Sequence, residues 1–177
     1  YRGFPASLRA MLRIDLDRLR KEGRRRLDAD VPAGDPFWES MDVSPAAPLT
    51  VRLEAQQAGA DVVVRGRIGG QFALTCSRCL EPVTVGIDEE LGLLYRDGEV
   101  EEDGEVLSLP EKGTELDVAP AVREQVLLAV PRYAYCRGDC RGLCPHCGTN
   151  LNEAACGCTQ EETDERWAPL RRLKKDA

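Results

Sequence analysis

Cysteines carry the clearest chemistry in this sequence. Six of the eight cysteines lie between Cys136 and Cys158, and the other two, Cys76 and Cys79, form a Cys-x-x-Cys pair much earlier in the chain. In Cys144-Pro-His-Cys147-Gly, the glycine lets the backbone fold tightly, so that both sulfurs can face one ion. Eight thiolates fill two tetrahedral sites with none left over. The spacing therefore predicts structural zinc, with one or two ions per chain.

Loop length predicts how the cysteines divide between two sites. Short loops cost little chain entropy to close, so the four most C-terminal cysteines are expected to share one ion. The remaining pair of that stretch would then reach back to the early Cys-x-x-Cys pair. The predicted sets are Cys144, Cys147, Cys156 and Cys158 for the local site, and Cys76, Cys79, Cys136 and Cys140 for the long-range site. A single zinc ion on four of the eight thiols is the open alternative.

Disulfides, a redox pair and a catalytic zinc fit the sequence less well. Disulfides need an oxidising compartment, and neither a signal-peptide h-region nor a run of about 20 apolar residues occurs, so we expect a cytoplasmic protein without a membrane partner. A thioredoxin-like pair opens a helix after a strand, whereas Cys76 and Cys79 lie between two strand-like runs. Catalytic zinc usually has histidine among three protein ligands, and the lone His146 is expected to face solvent within the knuckle.

Charge is unevenly distributed along the chain. The formal net charge of −7 argues against generic nucleic-acid binding. However, residues 1–30 hold nine Lys/Arg against five Asp/Glu, residues 166–175 hold five basic residues and no acid, and residues 88–117 hold twelve acids and two bases. A polyanion would therefore meet the basic ends first. Phosphate contacts are predicted for Arg24, Arg25, Arg26, Arg137, Arg141, Arg171, Arg172, Lys174 and Lys175. The alternative for each run is a solvated surface.

Alternating apolar residues predict an antiparallel sheet. Residues 49–55, 62–68, 72–76 and 83–87 each place apolar side chains on one face. Gly59 marks one turn between strands, and Gly69-Gly70 predicts a second hairpin turn. The first Cys-x-x-Cys pair would then lie at the tip of the next hairpin, where both thiolates can be presented without interrupting the sheet.

Segments outside this run predict less regular structure and one long helix. Residues 12–16 fit a short strand, residues 16–22 could equally begin a helix, and Gly23 ends that element. Residues 28–48 are predicted to be a loop, with Phe37 and Trp38 packed on the core. The helix is predicted over Asp117–Val130, with Asp117 as N-cap, a valine every fourth residue, Leu127 widening the apolar stripe and Pro131 ending it.

These elements combine into one predicted architecture. The fold class is α+β: an antiparallel β-sheet covered by one main helix, with a C-terminal cysteine-rich zinc-knuckle segment. Residues 11–131 are predicted to form the domain of sheet plus helix. Residues 132–177 are predicted to form the zinc-knuckle segment and a C-terminal tail that packs on it.

Several motifs resemble a known family. They are Ile14-Asp-Leu, Cys76-Ser-Arg-Cys79-Leu, Leu116-Asp-Val with Glu124 and Pro131, the long string Cys136–Asn152, Cys156-Gly-Cys158 and Asp164-Glu-Arg-Trp167. Together they resemble the bacterial and plastid YceD-like family, called large ribosomal RNA subunit accumulation proteins. Some family members lack part of this cysteine set, which favours a structural metal over a catalytic one.

The resemblance implies a non-enzymatic factor in ribosome biogenesis. Such a protein would support accumulation or processing of large-subunit (23S) ribosomal RNA. Its partners would be ribosomal RNA or a pre-ribosomal particle, or a large-subunit ribosomal protein, and no small-molecule substrate is expected. Two alternatives stay open: a zinc-stabilised protein–protein adaptor without RNA contact, and a metal-dependent nuclease. The nuclease is less favoured because neither an ordered carboxylate cluster nor a Gly-rich phosphate loop is visible.

Overall fold

A computed structural model describes residues 12–98, 106–110 and 113–158. The strands are β1 (Arg13–Asp15), β2 (Arg24–Val31), β3 (Leu49–Ala58), β4 (Asp61–Thr75), β5 (Pro82–Arg96), β6 (Val106–Ser108) and β7 (Glu115–Asp117). The helices are α1 (Leu16–Glu22) and α2 (Ala119–Ala129), and a 3-10 turn covers Pro36–Trp38. Within the described residues, no helix is long and apolar enough to cross a membrane.

The strands form two sheets. The larger sheet has the order β2-β3-β4-β5-β6, and β1 pairs with β7 in a small second sheet. All pairs are antiparallel except β5–β6, which is parallel. The α+β class is therefore confirmed, but the sheet is mixed at one edge rather than purely antiparallel.

β3 and β4 follow the predicted alternation. In β3, Leu49, Val51, Leu53 and Ala55 are buried, and the three residues between them are exposed or partly exposed. Gly59 lies in the turn before β4 with φ +66°, a backbone conformation that residues with a Cβ rarely adopt. Period-two burial thus sets which face of the sheet contacts the core.

The predicted hairpin turn at Gly69-Gly70 is wrong. β4 continues through both glycines, with Gly69 opposite Asp88 and Gly70 opposite Ile87 on β5. At these glycines, the segment that pairs with the edge of β4 opposite β5 changes. Pairing with β3 ends at Gly69. Beyond it, residues 44–46 pair with β4, and the Ala46 amide donates a hydrogen bond to the Gln71 carbonyl at 2.7 Å.

The N-terminal residues form both elements that the sequence left open. A short strand leads directly into α1, where the Asp15 side chain accepts a hydrogen bond from the Arg18 amide at 2.9 Å. Gly23 ends the helix with φ +75°. The predicted loop starts later than expected, because residues 28–31 belong to β2. Trp38 is buried against Phe72, as predicted for a core anchor.

α2 differs from its prediction at both the cap and the stripe. Val118 occupies the N-cap position, although the Asp117 carboxylate accepts from the Ala119 amide at 3.0 Å. Val122 and Val126 are fully buried, but Leu127 is 48% exposed and so does not widen the apolar stripe. The expectation of one main helix covering the sheet is not confirmed, since α1 contacts β2 and β3 while α2 contacts β5.

Gly66 is expected to tolerate no side chain. A Cβ built at Gly66 would lie 2.0 Å from the Arg52 carbonyl oxygen and 2.8 Å from Leu53 Cα, both backbone atoms of β3. Gly66→Ala should therefore lower the free energy of unfolding by about 1–3 kcal/mol. Urea denaturation measures this change. Gly92→Ala on β5 is the control, because nothing lies within 4 Å of its Cβ position. Equal shifts in the two variants would contradict the prediction.

Candidate metal centres

The tip of the β4–β5 hairpin presents the first pair of thiols. The Cys76 amide donates to the Glu81 carbonyl at 2.8 Å, and the Leu80 amide donates to the Cys76 carbonyl at 3.0 Å. Leu80 adopts φ +62°, which closes the turn tightly. Cys76 and Cys79 are therefore fixed by backbone hydrogen bonds at the end of a long paired hairpin.

The segment after α2 brings two more thiols to this tip. Ala134 forms a parallel bridge with Cys76, and the Ser77 amide donates to the Ala134 carbonyl at 2.8 Å. The chain then continues to Cys136 and Cys140. The first tetrad is thus assembled from two segments that the intervening strands and α2 separate in sequence.

Sulfur–sulfur distances in the first tetrad fit a tetrahedral ion. The Sγ atoms of Cys79 and Cys136 are 3.6 Å apart, and those of Cys76 and Cys140 are 3.9 Å apart. All four sulfurs lie within 4.8 Å of one another. Four thiolates around zinc at about 2.3 Å would be separated by about 3.8 Å, whereas a disulfide requires about 2.05 Å. This set could therefore hold a metal ion and is not disulfide-bonded.

A second tetrad forms from the last four cysteines. The sulfurs of Cys144, Cys147, Cys156 and Cys158 also lie within 4.8 Å of one another. The Cys144 amide donates to the Thr149 carbonyl at 2.8 Å, and Gly148 turns the chain with φ +73°. His146 is exposed and belongs to neither tetrad. The structure thus brings the eight cysteines together in the two sets that loop length predicted.

Hydrogen-bond donors favour the thiolate form of at least one thiol in each tetrad. Backbone N–H groups of Cys79 and then Arg78 lower the pKa of Cys76 to about 6. The Thr149 hydroxyl, 3.2 Å from the sulfur, and the Thr149 amide lower the pKa of Cys147 to about 6. Metal ligation requires deprotonated sulfur. Each tetrad therefore contains a thiol that is prepared to bind a cation near neutral pH.

The pKa values of Cys136 and Cys158 are shifted in the opposite direction. At Cys140, burial acts to raise the pKa, but the hydrogen bonds from the Asn152 side chain and the Gly142 amide outweigh it and lower the pKa. The hydrogen bond to Cys79 and then burial raise the pKa of Cys136 to about 12. The hydrogen bond to Cys147 and then burial raise the pKa of Cys158 to about 12. These protons would leave when a cation takes their place between the sulfurs.

Asn152 connects the two tetrads. Its Nδ2 donates to Cys140 Sγ at 3.4 Å, and its Oδ1 accepts from the Arg141 amide at 2.8 Å. The same Nδ2 also donates to Asn150 Oδ1 at 2.8 Å. Because Asn150 and Asn152 lie between Cys147 and Cys156, the loop of the second tetrad braces a sulfur of the first. Sequence reasoning missed this role, although Asn-Leu-Asn ends the long matching string.

Within the described residues, the predicted phosphate-binding arginines lie in two separate places. Arg24, Arg25 and Arg26 begin β2, where Arg25 pairs with Glu22 at 3.2 Å and Arg26 with Glu54 at 3.4 Å. Arg24 lies opposite Gln56 on β3, and Gln56 lies opposite Val63 on β4. The part of β4 from Val63 to Thr75 separates the triplet from the hairpin tip, a length of roughly 40 Å along the strand.

The other predicted residues lie near the tetrads or outside the described part. Arg137 pairs with Asp139 at 3.4 Å and donates to Asn152 at 2.9 Å. Arg141 is exposed. Arg171, Arg172, Lys174 and Lys175 fall outside the described residues.

Comparison with known proteins identifies the family. The family model for the Large ribosomal RNA subunit accumulation protein YceD matches residues 64–174. The chain belongs to the YceD family. This match includes all eight cysteines, both tetrads and α2, so the resemblance noted from the motifs is confirmed.

Named relatives of this YceD protein occur in plants and mycobacteria. Arabidopsis thaliana has a Large ribosomal RNA subunit accumulation protein YCED homolog 1, chloroplastic, 29% identical over 82% of this chain and 51% of its own length. The Zea mays protein of the same name is 24% identical over 82% of this chain and 60% of its own length. An uncharacterized Mycobacterium tuberculosis protein is 31% identical over 75% of this chain and 65% of its own length. The chain thus spans about half to two thirds of these relatives. No solved structure matches.

Asn152 is expected to strengthen metal binding at the first tetrad. Asn152→Leu removes the side-chain donor to Cys140 Sγ and Asn150 Oδ1, and the acceptor of the Arg141 amide. Loss of such a hydrogen bond to a ligand should weaken Zn²⁺ binding by about 10- to 100-fold at one of two sites. Competition with a chromophoric chelator resolves the two dissociation constants. Glu153→Gln, which alters only the exposed partner of Asn150, is the control. Two unchanged constants in Asn152→Leu would contradict this role.

Proposed function

We propose that this YceD protein is a non-enzymatic ribosome-biogenesis factor that supports accumulation or processing of large-subunit (23S) ribosomal RNA. The observation that carries the proposal is membership of a family described by that role, over residues 64–174. The names of the Arabidopsis and maize relatives state the same role for those proteins. The cytoplasmic location predicted from the sequence remains a prediction.

Zinc is the metal that the two tetrads suit best. Each tetrad offers four sulfur donors at tetrahedral spacing, and soft thiolates select zinc over hard cations such as Mg²⁺. Four protein ligands leave no open position for a reacting water. The proposed ions are therefore structural, and they would hold residues 136–158 against the hairpin tip. Such binding contributes on the order of 10 kcal/mol to folding.

Purified protein is expected to contain two zinc ions per chain by elemental analysis. Cys79→Ser and Cys147→Ser should each retain one ion, since each removes a ligand from a different tetrad. Limited proteolysis should show that Cys147→Ser loosens residues after Cys136 far more than the sheet. Ser77→Ala, an exposed non-ligand at the same tip, is the control and should retain both ions. Protein without zinc, or Cys147→Ser with unchanged protease resistance, would refute the structural-zinc proposal.

The proposed partner is ribosomal RNA or a pre-ribosomal particle. Exposed arginines near the tetrads and at the start of β2 support phosphate contacts, although the chain as a whole is acidic. Because the two groups lie roughly 40 Å apart along β4, an extended RNA would be needed to meet both. A large-subunit ribosomal protein is the second possible partner.

The arrangement of acidic residues favours a binding factor over a nuclease. Asp88 and Glu90 both pair with Arg67, and Asp61 pairs with Arg96. Within the described residues, the two cysteine tetrads are the groups with three or more metal-ligating side chains close together. A metal-dependent nuclease would use carboxylate or histidine ligands with an open position.

RNA binding should depend steeply on salt. Filter binding to 23S ribosomal RNA fragments between about 50 and 200 mM salt should give a linear fall of log K with log salt concentration. Replacing Arg24, Arg25 and Arg26 with glutamine should reduce the slope by about 2. Arg67→Gln is the control, because Arg67 pairs with two carboxylates, whereas Arg25 and Arg26 each pair with one. Salt-independent binding would contradict phosphate contact.

The same experiment separates the alternatives. Binding to a ribosomal protein without any RNA binding would support the adaptor instead. Shortening of the RNA by purified protein, lost on carboxylate replacement, would support the nuclease.

A further inference from the structure

We propose that the hairpin tip and the segment packed on it form a binding site for unpaired RNA nucleotides. In this site Tyr133 and Tyr135 stack on bases, while Arg78, Arg132 and Arg141 contact phosphates. The inference rests on the proposed RNA-binding function and deepens it, because it names single-stranded RNA as the ligand and gives the residues that hold it.

Two tyrosines project into solvent beside the first tetrad. Tyr133 is 71% exposed and Tyr135 is 50% exposed. Aromatic rings of this size normally bury most of their apolar surface, so neighbouring exposed rings indicate a binding surface. Tyr95, by contrast, is buried in the core. Few aromatics occur in this chain, and two of its tyrosines lie together at this place.

The backbone between the tyrosines is fixed. Ala134 is buried and forms the bridge to Cys76, and its carbonyl accepts from the Ser77 amide. Cys76 itself is fully buried in the first tetrad. Both rings are therefore carried on a backbone that is anchored between them. Holding an aromatic ring in place before binding reduces the entropy lost when a base stacks on it.

Arg78 connects the rings to the tetrad. Its guanidinium carbon lies 4.8 Å from the centroid of the Tyr135 ring, within cation–π range. Arg78 Nη1 also donates to the Cys140 carbonyl at 3.0 Å. These contacts fix the orientation of Tyr135 and keep a positive charge beside it. Arginine next to an aromatic ring is the combination that recognises a stacked base together with its phosphate.

Further arginines surround this pair. Arg132 precedes Tyr133 and is exposed. Arg141 lies next to Gly142, whose backbone passes so close to the Arg78 carbonyl that a Cβ there would lie 2.9 Å from it. The tip is therefore basic, although the whole chain carries a net charge of −7.

The nearby acids leave this positive charge in excess. Within residues 76–81 and 131–142, which the structure describes, the acids are Glu81 and Asp139, and Asp139 is paired with Arg137. A basic surface attracts RNA and repels basic ribosomal proteins. Charge thus favours RNA over a basic protein as the ligand, and the exposed rings favour unpaired bases, because duplex bases already stack on one another.

The test compares single-stranded and duplex RNA of the same sequence. Fluorescence anisotropy with a labelled RNA of about 12 nucleotides, alone or annealed to its complement, should show tighter binding of the single strand. Tyr133→Ala and Tyr135→Ala should each weaken single-strand binding by roughly 5- to 150-fold. Tyr133→Phe and Tyr135→Phe should retain affinity, because the ring remains. Leu128→Ala is the control, since it truncates an equally exposed apolar side chain on α2.

A second measurement uses the unaltered protein, so it does not depend on how the variants fold. Cross-linking of a 4-thiouridine-labelled single strand should map to the peptide that contains Tyr133 and Tyr135. Cross-links confined to other peptides would overturn the inference.

The outcomes distinguish this inference from the proposed function. Equal binding of single strand and duplex, with tyrosine variants unaffected, would overturn the base-stacking site and leave ribosomal RNA binding intact. Absence of any RNA binding by the unaltered protein would remove both. If the alanine variants lose affinity for a basic ribosomal protein but not for RNA, the surface is a protein interface and the inference is wrong.

Discussion

Pairing between β4 and β5 is the interaction on which the rest of the structure depends. The two strands remain in register from Val62 opposite Tyr95 to Thr75 opposite Pro82. Because β4 also pairs with β3, one end of the hairpin belongs to the sheet, while the other carries Cys76 and Cys79 to a fixed position. The segment after α2 meets the hairpin at that position, where Ala134 bridges to Cys76.

Sequence patterns predicted the parts of this arrangement that are set by local or strictly periodic rules. Alternation identified β3, and short loops identified the second tetrad. Assigning the four remaining cysteines to a long-range site followed from ligand number, since four thiolates fill one tetrahedral site. Gly69-Gly70 was misassigned as a turn because dipeptide turn preferences are local, whereas continuous pairing with β5 is decided by tertiary structure.

Other features could not be predicted because they arise from segments that meet only in the folded chain. The separation of Arg24–Arg26 from the tetrads follows from strand register, which the arginines themselves do not encode. The hydrogen bond from Asn152 to Cys140 depends on how one knuckle loop packs against the other. The exposure of Tyr133 and Tyr135 depends on the burial of Ala134 between them. Spacing alone gives no information on such contacts.

The sequence separation of the first tetrad has a consequence for folding during synthesis. Cys76 and Cys79 leave the ribosome well before Cys136 and Cys140, and β5, β6, β7 and α2 are made in between. The second tetrad, in contrast, is completed within one short stretch. Closing the long loop carries the larger entropic cost. The hairpin tip therefore presents only two of the four thiols of the first tetrad until α2 and the segment through Cys140 have been synthesised, so this tetrad cannot close while the sheet is still being made.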